Sequence, residues 1–232
     1  MVAIFTVIGK RLLTRGRMIG LGVMAVVTIG LGLLVGQAEG ATDSSIADFI
    51  NVLGLTLLVP VVCLVFASAA LGDLYENGSL VYLWLRPLAR WQIAAAATAA
   101  AIAVCLPVLA ITLGLTGAVG GSGRVGLAAL VATAFAVPAY CGLFTALGLV
   151  SRQGLIWGLG YILFFEGFVG ILGQFASRLA VVSYSRSILA KLGDVPINLA
   201  TTPVVVAIIV LAGITAGAIG LTSWRLSSMN VP

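Results

Sequence analysis

Charged residues are scarce in this chain of 232 residues. Only 8% of the residues are Asp, Glu, Lys or Arg, whereas 61% are hydrophobic. An average soluble domain is roughly 25% charged, so this chain lacks the polar side chains needed to cover a soluble fold. The composition therefore predicts an integral membrane protein.

Histidine is absent altogether, and cysteine occurs only three times. The lack of histidine excludes a His-dependent metalloprotease and any Ser-His or Cys-His catalytic pair. Cys63, Cys105 and Cys141 fall inside apolar segments, and their spacing matches no ligand motif. At these positions the sequence favours small buried hydrophobes over a metal or redox site.

A phosphate-binding loop is also missing. That loop requires Gly-x-x-x-x-Gly-Lys-Ser/Thr, but Gly9-Lys10 is followed by Arg11, and Ile4 stands where the first glycine belongs. The aspartates all flank apolar segments, which excludes an aspartyl pair within the bilayer. The chain is therefore expected to be no enzyme and to hold no cofactor of its own.

Long stretches without charge indicate where the chain crosses the membrane. A helix needs about 20 mostly apolar residues to cross the hydrocarbon core, and continuous rather than alternating apolar runs indicate helices. The predicted fold is an all-α integral membrane protein, one transmembrane domain of residues 1–232. Its six spans lie near 18–37, 49–71, 88–116, 125–150, 154–174 and 202–223.

Two further segments flank these spans. Residues 2–17 carry an apolar stripe opposite Lys10 and Arg11, a pattern that favours a helix lying in the membrane interface over a solvated basic leader. Residues 175–201 are too apolar for a solvated loop. We expect them to form one or two short helices tucked back into the outer leaflet and ended by Gly193 and Pro196.

The distribution of basic residues predicts the orientation. If the amino terminus is cytoplasmic, eight basic residues lie inside and four outside, as the enrichment of Lys and Arg in cytoplasmic loops requires. The inner set is Lys10, Arg11, Arg15, Arg17, Arg86, Arg90, Arg152 and Arg225, and the outer set is Arg124, Arg178, Arg186 and Lys191. Both termini are thus predicted to be cytoplasmic, in a plasma or inner membrane. The net charge of +5 then reflects topology and not nucleic-acid binding.

Pairs of glycines recur at four-residue spacing. They are Gly32 and Gly36, Gly154 and Gly158, and Gly213 and Gly217. Small residues at this spacing let helices in lipid approach closely. The pairs predict tight packing within a helical bundle, without locating an interface between chains.

The loop between the second and third spans, 73–87, holds unusual charge for this chain. Asp73 and Glu76 precede an apolar stripe that includes Leu83 and Trp84. Pro87 biases the preceding residue away from helix, so a short amphipathic helix should end there. The alternative is a membrane-anchoring loop with its aromatics at the interface, and the physical pattern leaves both open.

The stretch ENGSLVYLWLRPLAR resembles the signature of ABC type-2 exporter permeases. The matching residues are Glu76, Gly78, Ser79, Leu80, Arg86, Pro87 and Arg90, whereas Ala89 stands where a small hydroxyl residue is common. The order of the other segments is similar in outline. FFEGFVGIL around Glu166 also resembles, more loosely, the fifth span of one branch of that family.

The resemblance implies a function for the loop. It would be a cytoplasmic coupling helix, presenting Leu83 and Trp84 beside the matching residues to a separate ATP-binding subunit. It also implies two such subunits, which bind ATP and Mg, and a second permease chain, most simply a homodimer. The expected function is export of a hydrophobic or amphipathic substrate.

Glu166 is the one ionisable residue well inside a predicted span. A carboxylate at that depth costs about 2.5–3.5 kcal/mol on insertion scales, so it should be paired or protonated. A structural hydrogen bond, with Arg178 or Arg186 as candidate partners, is favoured over a place on the translocation path. The rival function is a secondary transporter or channel that uses Glu166 as its mid-membrane group.

Overall fold

A computed structural model describes residues 2–38, 40, 42–76, 90–150, 154–167, 180–197 and 202–228. These residues are almost entirely helical, and no strand occurs among them. The elements are α1 (Val2–Leu12), α2 (Arg15–Gly36), α3 (Asp43–Phe49), the π-helix π1 (Ile50–Leu58), α4 (Val59–Glu76), α5 (Arg90–Gly120), α6 (Gly123–Val150), α7 (Gly154–Tyr161), the π-helix π2 (Ile162–Gly167), α8 (Val181–Gly193) and α9 (Val204–Ser228).

Five helical segments of the described chain are long and apolar enough to cross a membrane. They are Arg15–Gly36, Asp43–Gly72, Trp91–Gly120, Gly123–Leu149 and Val204–Leu226. This confirms the prediction of an all-helical, membrane-type architecture. The predicted fifth span, 154–174, is helical from Gly154 to Gly167, and its remainder lies outside the described residues. The layout of six spans therefore stays a prediction.

The amino-terminal helix ends earlier than the sequence suggested. We predicted a helix over 2–17, but α1 ends at Leu12 and α2 begins at Arg15. Between them Thr14 has extended backbone angles, φ −75° and ψ 144°. Ile8 and Leu12 are buried, and α1 packs against α4 and α5, whereas Arg11 is exposed. The apolar stripe of α1 thus faces the bundle.

The bundle is organised around α6, which packs against α4, α5, α7, α8 and α9. In the most apolar stretches of the segments containing α4, α5 and α6, 61% of the residues are buried. The corresponding shares are 17% in α2 and 11% in α9. These two outer helices therefore present long apolar surfaces, as lipid contact requires.

The helix α8 is too short to cross a membrane, because 13 residues extend only about 20 Å at 1.5 Å per residue. It packs instead against α6, α9 and π1. Most of its residues are buried, including Val182 and Ile188. This packing explains why the segment is more apolar than a solvated loop.

The carboxyl end of α8 is held by an aspartate. Asp194 adopts the left-handed conformation, φ 56° and ψ 43°, and its N–H donates to the Ala190 carbonyl. Aspartate tolerates this conformation better than most residues. Its carboxylate accepts a hydrogen bond at 3.2 Å from Arg124 at the start of α6. Both side chains are more than half exposed, so the ion pair contributes little to stability.

Two of the three predicted glycine pairs lie at close helix contacts. A Cβ at Gly36 would collide with the backbone carbonyl of Gly120 in α5, and a Cβ at Gly158 with the Leu64 side chain in α4. Around Gly213 and Gly217 nothing lies within 4 Å of such a Cβ. The first two pairs pack inside the bundle, and the third faces open space on α9.

Candidate functional site

The predicted coupling loop joins two helices of the core. Its flanks are described as backbone: α4 ends at Glu76, and α5 begins at Arg90. The other predicted coupling residues, Gly78, Ser79, Leu80, Leu83, Trp84, Arg86 and Pro87, lie outside the described residues. Gly36, at the end of α2, contacts Gly120, at the end of α5. The two helices therefore run in the same direction, and α5 begins at the end of the bundle that carries α1, against which α4 and α5 also pack. The resemblance of residues 76–90 to the permease signature thus rests on the sequence alone.

The second predicted site residue, Glu166, lies in a π-helix. The segment π2 continues α7 from Ile162 to Gly167 and contacts π1. The Glu166 side chain and Arg178, one of its predicted partners, lie outside the described part. Short π-helical segments are frequent at functional sites, so this backbone is the one structural feature that marks the position.

Arg186, the other predicted partner of Glu166, contacts a residue that sequence reasoning missed. Its Nε atom donates a hydrogen bond of 2.9 Å to Oδ1 of Asn51. Asn51 is only 6% exposed and lies in the first turn of π1. The sequence did offer a signal for this contact: Asn51 is an amide side chain inside the apolar run 49–72, and a buried polar group requires a hydrogen-bond partner.

An apolar groove of about 880 Å³ opens on the side of the bundle. It forms because α7 and α9 both pack on α6 without closing over it. Its floor includes Leu143 and Leu147, one wall includes Trp157, Tyr161 and Phe164, and the other includes Ile214 and Leu221. The Tyr161 ring is positioned by an edge-on contact with Phe144, with ring centroids 6.1 Å apart. A groove of this size and lining can hold an apolar or amphipathic molecule.

The three cysteines converge at one point in the core. Cys63 lies on α4, Cys105 on α5 and Cys141 on α6, and all are fully buried. Their three Sγ atoms all lie within 4.8 Å of one another. The prediction that they are buried is confirmed. Their convergence was missed, because no linear spacing encodes the packing of three separate helices.

The cysteine cluster and the groove are thus the two sites whose side chains the structure describes. The first offers three soft donor atoms in the interior, and the second offers an apolar surface of the kind that binds lipid-like molecules. A comparison of the chain with models of protein families and with curated proteins found no match.

Proposed function

We propose that this chain is the permease subunit of an ATP-driven ABC exporter, embedded in a plasma or inner membrane. The observation that carries the proposal is the fifteen-residue match from Glu76 to Arg90. The all-helical architecture and its long apolar helices support it. The sequence contains no phosphate-binding loop, so ATP and Mg would bind to two copies of a separate subunit. A second permease chain, most simply another copy, would complete the complex.

The position of the loop suggests how a partner would move the bundle. Residues 77–89 connect α4 with α5, and both helices pack along α6. A subunit that pushes on this loop would move two core helices together. Glu76 and Arg90, at the two helix ends, would then transmit the motion of the docked loop. Leu83 and Trp84 would fill the apolar part of the partner's groove.

The apolar groove is the described surface that suits cargo best. Its wall on α9 belongs to the least buried of the five long helices, and Trp157 and Phe164 on the other wall are more than 60% exposed. A substrate entering from the lipid would meet this surface without crossing a charged region. We therefore propose a hydrophobic or amphipathic substrate.

Co-purification tests the proposal directly. The tagged chain is co-expressed with a candidate ABC-type ATP-binding subunit from the same organism and isolated in mild detergent. We expect a complex of two permease and two ATPase chains by mass, with ATPase activity stimulated by the permease. A solitary monomer with no effect on ATPase activity would contradict the proposal.

An arginine pair provides a matched control. Arg86→Ala removes a charge within the signature, and Arg15→Ala removes the same charge on the same predicted side but outside it. We expect Arg86→Ala to weaken capture of the ATPase about tenfold, equivalent to about 1.4 kcal/mol, and Arg15→Ala to leave it unchanged. Equal effects of the two variants would show that only net charge matters.

The alternative, a secondary transporter or channel, is favoured by one observation: Glu166 lies in a π-helix, two residues after the groove residue Phe164 in the chain. An intramembrane ionisable group commonly carries protons or ions. For the exporter we expect Glu166→Gln to retain assembly and near-wild-type ATPase stimulation. Transport that persists after ATP depletion and is abolished in Glu166→Gln would favour the alternative.

A further inference from the structure

The cysteine cluster collects every cysteine of the chain. The sequence contains three, and Cys63, Cys105 and Cys141 reach one point from three different helices. The burial of each residue taken singly is explained by its small, apolar side chain. Burial alone does not bring all three thiols together, because alanine fills most of the small buried positions of these helices. The convergence therefore requires a reason of its own.

The spacing of the sulfur atoms fits a common metal. A metal–sulfur bond is about 2.3 Å long, so three sulfurs arranged in a plane around one ion lie about 4.0 Å apart. The three Sγ atoms here are separated by at most 4.8 Å. Small side-chain adjustments can therefore close the site without a change in helix packing.

The donor set and the burial narrow the choice of ion. Thiol sulfur is a soft donor, which selects ions such as Cu(I) and zinc over Mg or Ca. Structural zinc takes four ligands, whereas the described cluster offers three sulfurs. Monovalent d10 ions of the Cu(I) and Ag(I) class bind two or three sulfurs, so they fit the site better.

The balance of charge also favours a monovalent ion of the Cu(I) class. The surrounding core is apolar, and an unpaired charge buried there is costly. One thiolate, formed when its thiol proton is released to the solvent, neutralises a monovalent ion completely, whereas a divalent ion bound by one thiolate keeps a net positive charge in the apolar core. In the absence of an ion, the Cys63 thiol can donate a hydrogen bond to the Val137 carbonyl oxygen, which lies 4.0 Å away.

We propose that Cys63, Cys105 and Cys141 form a three-sulfur binding site for a thiophilic monovalent ion of the Cu(I) class. The ion would join α4, α5 and α6, which belong to the three most buried of the five long helical segments. Such a site would cross-link the core from within.

The test uses Ag(I) as a redox-inert probe on the full-length protein. The protein is purified in detergent under reducing conditions, incubated with Ag(I) and freed of excess ion, and the metal per chain is measured by mass spectrometry. X-ray absorption then identifies the atoms bound to silver. We expect one Ag(I) per chain in a sulfur-only shell and an increase in melting temperature on binding.

The triple variant Cys63→Ala/Cys105→Ala/Cys141→Ala is the matched control, because it keeps all four methionines, the other soft ligands. We expect it to bind less than a tenth as much Ag(I). If it fails to fold, the single variants Cys63→Ser, Cys105→Ser and Cys141→Ser test the same site, each with at least tenfold weaker binding expected. Equal binding by wild type and variants, no binding by the wild type, or a disulfide among these thiols in the purified protein would overturn the proposal.

Discussion

A hydrogen bond between Asn51 and Arg186 joins two side chains that are far apart in the chain but close inside the bundle. It links π1, which continues into the core helix α4, to the short helix α8. Other buried hydroxyls, such as those of Thr98 and Thr133, donate to a carbonyl four residues earlier in their own helix. The Asn51 contact therefore contributes to the docking of α8, whereas the local bonds only satisfy their own hydroxyl groups.

At the residue scale, Asn51→Ala should destabilise the protein. A hydrogen bond to a charged group contributes about 1.5–3 kcal/mol, but Arg186 is only partly buried, so we expect a loss of about 1–2 kcal/mol. Thr98→Ala is the control, since it removes only a bond of 3.0 Å to its own helix. Equilibrium unfolding in mixed micelles measures both variants. Equal stabilities would show that the contact does not hold α8 in place.

At the element scale, the helices are distinguished by what their glycines contact. In α5, a Cβ at Gly120 would lie 2.7 Å from the Gly32 carbonyl oxygen of α2. A side chain there forces the two helices apart, because the obstacle is backbone and cannot rotate away. In α9, Gly213 has no such neighbour.

These contacts predict opposite results for the same chemical change. Gly120→Ala should lower the free energy of unfolding by about 1–3 kcal/mol, because the α2–α5 contact must open. Gly213→Ala should be neutral or stabilising by up to about 1 kcal/mol, since alanine favours helix more than glycine does. Equilibrium unfolding of the protein purified in detergent measures both effects. A loss of stability in Gly213→Ala would indicate that this face of α9 is covered.

At the scale of the whole molecule, the two ends of the bundle differ. One end carries α1 with its basic residues, the end of α4 and the start of α5. The other carries Asp43 beside Gly121, together with the ion pair of Arg124 and Asp194. The predicted cytoplasmic side corresponds to the first end.

This polarity predicts the outcome of labelling in intact cells. Asn77→Cys should resist membrane-impermeant thiol reagents until the cells are opened, whereas Gly123→Cys, at the opposite end, should react from outside. The native cysteines are fully buried and should give little background. Gly123 is exposed and has no atom within 4 Å of an added Cβ, so this substitution leaves the packing intact.

Glycosylation provides an independent test of the same orientation. Asn77-Gly78-Ser79 is a nominal acceptor for N-linked sugar, and we expect it to stay unmodified when the protein is expressed in eukaryotic cells. Sugar on Asn77, or labelling of Asn77→Cys from outside, would reverse the orientation of the whole chain.

The sequence by itself determined the class of the molecule, because span length and hydropathy are local properties that the thickness of a bilayer selects. Long apolar runs predicted the all-helical, membrane-type architecture that the five long helices confirm, and Gly193 marked the end of α8. The first helix was predicted to end at residue 17, but α1 ends at Leu12. The distribution of charged residues does not show where one helix ends and the next begins. Only the tertiary structure decided which side chains meet: the three thiols, the partner of Asn51, and the glycines that contact a neighbour. These contacts depend on how each helix is rotated and shifted along its axis relative to the others. Both quantities result from the combined packing of residues that lie far apart in the chain.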